Sequence, residues 1–205
     1  MKIALTATLL ACVATGALAQ SQESYGQLHD AIKYCQPHVA DNPELIIASC
    51  LKAIDSGFVG GQSLAQAWNN VGGAHIILKQ YDQAILALNN AIAADPKLWR
   101  AYENRGAAEG ALGELDKAGA DIDVAMQLAP KEPGPVRMQG QLFLAERRYD
   151  DAVASFTAAI ANDSSDAPSY GLRAQVYDKL NQPDKAAADR AKLKELDPDN
   201  KYGMQ

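Results

Sequence analysis

Residues 65–98 read AQAWNNVGGAHIILKQYDQAILALNNAIAADPKL, and their outline returns three more times at a fixed step of 34 residues, in 99–132, 133–166 and 167–200. The large residue near the start of each block is Trp68, Tyr102, Val136 and Tyr170, and four residues later stand Gly72, Gly106, Gly140 and Ala174. A second small slot holds Ala84, Ala118, Ala152 and Ala186. The next large slot holds Leu88, Ile122, Phe156 and Arg190, followed by Ala91, Ala125, Ala159 and Leu193. The blocks close on Pro96, Pro130, Ser164 and Pro198. Each block reads as two helices of roughly 14 residues with a short turn between them. The small slots let the two helices approach, and a larger side chain there would overpack the contact. Proline disfavours helix in the residue before it, which ends a block. No block can bury both of its faces alone, so neighbours must stack into a solenoid.

The 34-residue period and this order of residues resemble the tetratricopeptide repeat. The resemblance covers residues 65–200, with departures at Val136, Ser164 and Arg190. It implies an all-α, right-handed α-solenoid of antiparallel helix pairs: repeats at 65–98, 99–132 and 133–166, and a capping repeat at 167–200. A degenerate first repeat is expected at 27–60, because Ile46, Cys50 and Ala53 repeat the spacing of Ala84, Leu88 and Ala91. Its distance to the next block is 38 residues, and the glycine-rich connection at 57–63 is expected to absorb the extra length. The second helix of the last block carries Arg190, Lys194 and Glu195, the polar outer face that a terminal repeat needs. Residues 20–26 and 201–205 read as a flexible start and a frayed tail.

Composition narrows the function. The net charge of −6 argues against a nucleic-acid protein, and only 6% of residues are aromatic. Residues 1–19 have the order of a cleaved signal peptide: Lys2, an apolar run from Ile3 to Val13, and Ala17-Leu18-Ala19 before Gln20. The expectation is export to the periplasm of a Gram-negative bacterium, with no membrane association unless Cys12 is lipidated. The alternative stays open, because Leu9-Leu10-Ala11-Cys12 resembles a lipobox, although the residues after Cys12 remain apolar.

Cys35 and Cys50 remain after processing. In an oxidising compartment such a pair reads as a structural disulfide, stabilising by ~3 kcal/mol on the chain-entropy model. His29, Cys35, His38 and Cys50 also form a ligand set that zinc accepts, but they lack a second close pair, and two free buried thiols are the third reading. No metal or cofactor is expected.

Arg105 and Arg173 occupy the slot that Val71 and Gln139 fill in the other blocks. The same two blocks carry Asp121 and Asp189 where the others have Ala87 and Ser155. Arginine and aspartate occur together or not at all, so they are expected to form intra-repeat ion pairs, Arg105–Asp121 and Arg173–Asp189.

The resemblance implies a protein or peptide partner, held in a concave groove lined by each block's first helix. Carried over block by block, the lining is Gln66, Asn69, Asn70, Ile76 and Ile77, then Arg100, Glu103 and Asn104, then Arg137, Gln141 and Leu144, and finally Gln175. Arg100 and Arg137 would give this surface positive charge. Capture of an acidic chaperone C-terminus, known in the family, is not carried over: Asn104 fits, but Gly73, Gly134 and Met138 stand where other clamp members belong. No enzyme chemistry is visible. His75 lacks an activated Ser or Cys partner and reads as a packed histidine. Phosphate-loop, HExxH and GxSxG patterns are missing from the sequence.

Overall fold

A computed structural model describes residues 26, 29–35 and 42–200, and every regular element in that set is a helix. A short helix α1 covers 29–34. It is followed by α2 (Pro43–Asp55), α3 (Gly61–Ile77), α4 (Tyr81–Ala94), α5 (Trp99–Ala111) and α6 (Leu115–Leu128). Then come α7 (Pro133–Ala145), α8 (Tyr149–Asn162), α9 (Ala167–Lys179) and α10 (Pro183–Leu196). The expected signal peptide at 1–19, with Cys12, and the expected flexible start, apart from Gly26, lie outside the described residues, as do His38 and residues 201–205. Among the described residues no helix is long and apolar enough to cross a membrane.

Consecutive helices pack as antiparallel pairs, and each pair packs on the next. The first helices α3, α5, α7 and α9 also touch one another in succession, whereas α4, α6, α8 and α10 do not. A stack in which one row of helices is in contact and the other is splayed must curve toward the row in contact. That geometry makes the α3-α5-α7-α9 side the concave one.

The turn inside each repeat is the same object four times. Lys79 N–H donates to Ile76 O at 2.9 Å and Gln80 N–H to His75 O at 2.8 Å. These two bonds close a Schellman motif, whose central residue must adopt the left-handed conformation. The positions are Lys79 (φ 58°), Gly113 (φ 81°), Arg147 (φ 60°) and Asn181 (φ 55°). Between repeats, Tyr102 and Tyr170 donate their hydroxyls to Pro96 O (3.2 Å) and Ser164 O (3.3 Å), tying the connection to the following helix.

The small slots act as the sequence suggests, though with different partners. A Cβ added at Gly72 would lie 2.5 Å from Leu88 Cγ, and one at Gly140 would lie 2.6 Å from Phe156 Cε1. Gly72 and Gly140 therefore receive the large residue of the second helix, whereas Gly106 comes closest to the Ala118 backbone, where a Cβ would lie 3.2 Å from its carbonyl oxygen. One expectation is overturned. Helix α3 begins at Gly61, so the extra length between the first and second pairs is taken up largely by an added helical turn and not by a loop spanning 57–63. Gly57 (φ 71°) stops α2, and Asn42 starts it by accepting from Leu45 N–H at 2.9 Å.

Cys35 and Cys50 form a disulfide, with Cα atoms 4.5 Å apart, stapling the end of α1 to α2. Their sulfurs are thereby committed to each other and not to a metal. Ile46, Cys50 and Ala53 are all buried, and Ile46 and Cys50 join Ala67, Val71 and Ala74 of α3 in one apolar cluster. A second cluster is centred on Leu88, Ala101 and Ala108, and a third on Phe156, Leu172 and Val176. The junction of α5, α6 and α7 lies between the second and third.

Candidate functional site

The concave face is built from the first helices, and their side chains sort into three groups. Gln66, Ile77, Arg100, Gln141 and Gln175 are exposed. Ile76 and Leu144 are half-buried and pack into the second and third apolar clusters, so they support the surface from beneath. Asn69 and Asn70 are buried, at 5% and 6% exposure, which removes them from the groove lining expected from the sequence. Their role is internal. Asn70 donates to Cys35 O at 2.7 Å and accepts from Gln66 Nε2 at 2.9 Å, while Asn69 accepts from Asn104 Nδ2 at 3.0 Å. These bonds lace α1, α3 and α5 together. A buried amide is costly unless its partners are all present.

The positive charge expected of this surface is largely neutralised. Arg137 pairs with Asp166, the residue that precedes α9, and Asp166 also accepts from the Ser169 hydroxyl. Arg100 lies over its neighbour Trp99, 4.3 Å from the ring centroid. Glu103, half-buried on α5, rests above Gly134 of α7, where a Cβ would collide with its carboxylate. It accepts no hydrogen bond from the described residues. Burial pushes the Glu103 carboxyl above its usual value, opposed by the charges of Arg137 and Arg100 and assisted by those of Asp166 and Glu132. The concave face thus gathers three carboxylates against two guanidinium groups at this point.

Next to this cluster the concave face is indented. A cavity of about 330 Å³ lies between α5 and α7 with α6 as its floor, lined by Gly106, Gly110, Leu115, Ile122, Met138 and Leu142 among others. A smaller one, about 180 Å³, lies between the N-terminal pair and α3 beside Cys35, Val59 and Asn70.

The arginine and aspartate pairs sit away from the groove, between the two helices of a repeat. Arg105 Nε and Nη2 each donate to Asp121 at 2.7 Å, and Arg173 repeats this with Asp189 at 2.8 Å. A third bond was not foreseen. Arg105 Nη1 donates to Asn89 Oδ1 at 2.6 Å, and Arg173 Nη1 to Thr157 Oγ1 at 2.9 Å. Each arginine therefore ties its own repeat to the preceding one. The signal was present in the sequence, since Asn89 and Thr157 share one slot of the 34-residue frame.

One further carboxylate and a histidine have internal roles. Glu109 stands in the slot held by Phe143 and Tyr177 elsewhere. It is buried, and its Oε2 has no hydrogen-bond partner among the described residues. Burial raises its proton affinity above the ordinary carboxylate value, and nearby Asp121 raises it further. His75 shares a 2.7 Å hydrogen bond with Gln80 across the turn. Among the described residues no group of three His, Cys, Asp or Glu side chains is placed to hold a metal ion.

Comparison with known proteins agrees with this architecture. Residues 65–98 and 137–201 each match the tetratricopeptide repeat family. The chain is 31% identical over 87 residues to Hsp70-Hsp90 organizing protein 1 of Glycine max, a match covering 42% of this chain and 15% of that protein. It is 36% identical over 83 residues to human tetratricopeptide repeat protein 28, covering 40% of this chain and 3% of that one. The chain thus spans only a small part of these curated relatives. Among solved structures, a thermophilic TPR protein of Thermus thermophilus superposes with a TM-score of 0.74 at 17% identity, covering 83% of this chain and 92% of that one. The Pseudomonas aeruginosa protein pilF gives 0.61 at 22% identity, covering 84% and 75%. The 34-residue frame, the curved stack of helix pairs and these matches agree that the chain belongs to the tetratricopeptide repeat family.

Proposed function

We propose that this protein is a non-enzymatic scaffold of the bacterial periplasm that holds a peptide or protein partner on its concave face. Tetratricopeptide repeats mediate protein–protein interaction, and the reading rests on one observation. The α3-α5-α7-α9 surface is concave and presents Gln66, Ile77, Arg100, Gln141 and Gln175 to solvent along its length. Amide side chains of this kind can hold an extended backbone by hydrogen bonds. The chaperone specificity suggested by the name of the Glycine max relative is not carried over, because Gly73, Gly134 and Met138 replace cationic or amide clamp residues. The export part of the proposal rests on Lys2, the apolar run and Ala17-Leu18-Ala19.

Pull-down from envelope extract with wild type and an Arg100→Glu/Gln175→Glu double variant tests the groove. Both residues are exposed, so the fold should be unaffected. Loss of the recovered partners supports the reading, and recovery of the same partners in the same yield overturns it. Sequencing the mature N-terminus tests the location: Gln20 indicates a free periplasmic protein, and a lipidated Cys12 an envelope-anchored one.

A further inference from the structure

The cavity between α5 and α7 has a cause that can be read slot by slot. In the first full repeat, Ile76 of α3 and Tyr81 of α4 fill the space between first helices and pack on the second apolar cluster. In the third repeat, Leu144 of α7 and Tyr149 of α8 do the same in the third cluster. The corresponding residues of the second repeat are Gly110 and Leu115. A branched aliphatic side chain and a phenol ring are thus missing from the α5–α7 junction, whereas the α3–α5 and α7–α9 junctions have both. The missing volume appears as the 330 Å³ cavity, within the size range of ligand sites. Its walls are α5 and α7 and its floor is α6, so its open side faces the concave surface.

Glu103 lies one turn before Ala107, which lines the cavity, and Arg137 one turn before Gln141, which also lines it. The mouth of the cavity is therefore flanked by the cluster in which three carboxylates face two guanidinium groups. Arg137 is already engaged by Asp166, and Glu103 accepts no hydrogen bond from the described residues. A half-buried carboxylate with spare acceptor capacity favours a cationic donor over an anionic one.

We propose that this cavity is an anchor pocket for one bulky apolar side chain of a bound peptide, with a lysine or arginine of the same peptide placed next to it against Glu103. The proposal rests on the groove reading above and assigns it a specificity: basic-apolar segments, not acidic termini. An anchor residue in a preformed pocket, rimmed by a charge contact, is the arrangement from which binding hot spots are built.

The test is selection of dodecapeptides from a random phage-displayed library on the folded full-length chain, followed by affinity measurement on the enriched peptide made synthetically. A consensus with Leu, Ile, Met, Phe or Trp beside Lys or Arg is expected. Gly110→Leu should weaken its binding at least tenfold, because the new side chain occupies the pocket. A Cβ at Gly110 meets only Ala118 Cβ at 3.9 Å, an ordinary contact, so the fold accepts it. Leu115→Tyr, which restores the residue type of the first and third repeats, is the second filling variant and should have the same effect with melting temperature kept or raised. Glu103→Gln should weaken peptides with the basic residue and leave their neutral analogues unchanged. A consensus lacking the apolar anchor, an acidic consensus, or unchanged affinity in both folded filling variants overturns the pocket. In those cases sensitivity to Arg100→Glu/Gln175→Glu shows that the groove still binds, and its loss shows that the groove reading has failed as well.

Discussion

At the scale of single residues, the four intra-repeat turns demand the left-handed conformation at one position, and only the second repeat meets it with glycine. A side chain with a Cβ is strained there by roughly 1–2 kcal/mol, offset in part by the greater unfolded-state freedom of glycine. Arg147→Gly is therefore expected to stabilise the protein by about 0.5–1 kcal/mol, measured by urea denaturation. Glu109 gives a prediction with a pH signature. Its carboxyl holds a proton to higher pH in the folded protein than in the unfolded chain. Its contribution to stability is then best at low pH and is lost as pH rises through the raised folded value, where a buried anion must form. Glu109→Gln should raise stability by about 1 kcal/mol at neutral pH, and the gain should shrink as pH falls toward the ordinary carboxylate range. Thermal melts across that range check the sign, and a gain that grows on acidification would contradict it. Neither residue was singled out from the sequence. The strain at Arg147 and the missing partner of Glu109 depend on backbone angles and surroundings that a residue's identity does not state.

At the scale of elements, the arginine pairs show what a repeat frame can reveal. Arg105 and Asp121 are 16 residues apart, and a helix–turn–helix of fixed length brings that spacing face to face. Co-occurrence in alternate blocks was enough to expect the pair. The acceptors Asn89 and Thr157 belong to the preceding repeat, so their role emerged only once the pairs were stacked. Arg105→Ala leaves Asp121 buried without its bidentate partner, and a loss of about 2 kcal/mol is expected in chemical denaturation. The double variant Arg105→Met/Asp121→Leu should recover most of that loss, because it removes the buried charge along with its partner. A double variant as unstable as the single one would mean that the bond to Asn89 matters more than the pair.

At the scale of the whole molecule, stability is distributed along a line of neighbouring repeats. The disulfide joins α1 to α2, and Asn70 of α3 bonds to the carbonyl of Cys35, so the staple is coupled to the first full repeat. Reduction should lower stability by ~3 kcal/mol on the chain-entropy account. Amide exchange should show the loss concentrated in α1, α2 and α3, with α7–α10 little changed. Uniform loss of protection would indicate a single cooperative unit instead. The opposite end is closed by polarity: Arg190 is exposed and pairs with Asp178 on the preceding helix, giving α10 a solvated outer face.

The sequence by itself determined the architecture, because a period of 34 residues with small and large slots in fixed order admits one kind of packing. It also pointed to the arginine and aspartate residues that would meet, since those contacts lie between two consecutive helices, whereas the choice for Cys35 and Cys50 between a disulfide, a metal and free thiols was made by the structure. Tertiary structure decided the surface. Asn69 and Asn70 look like groove residues in one repeat, yet they are covered once α1 and α5 pack against α3. Arg137 looks like a free cation until α9 brings Asp166 to it. The cavity exists only where one repeat's Gly110 and Leu115 face the next repeat's Met138 and Leu142. Periodicity reports which residues a helix turns inward. Accessibility and charge at the groove depend on neighbours a full repeat away, and those are set by the stacking.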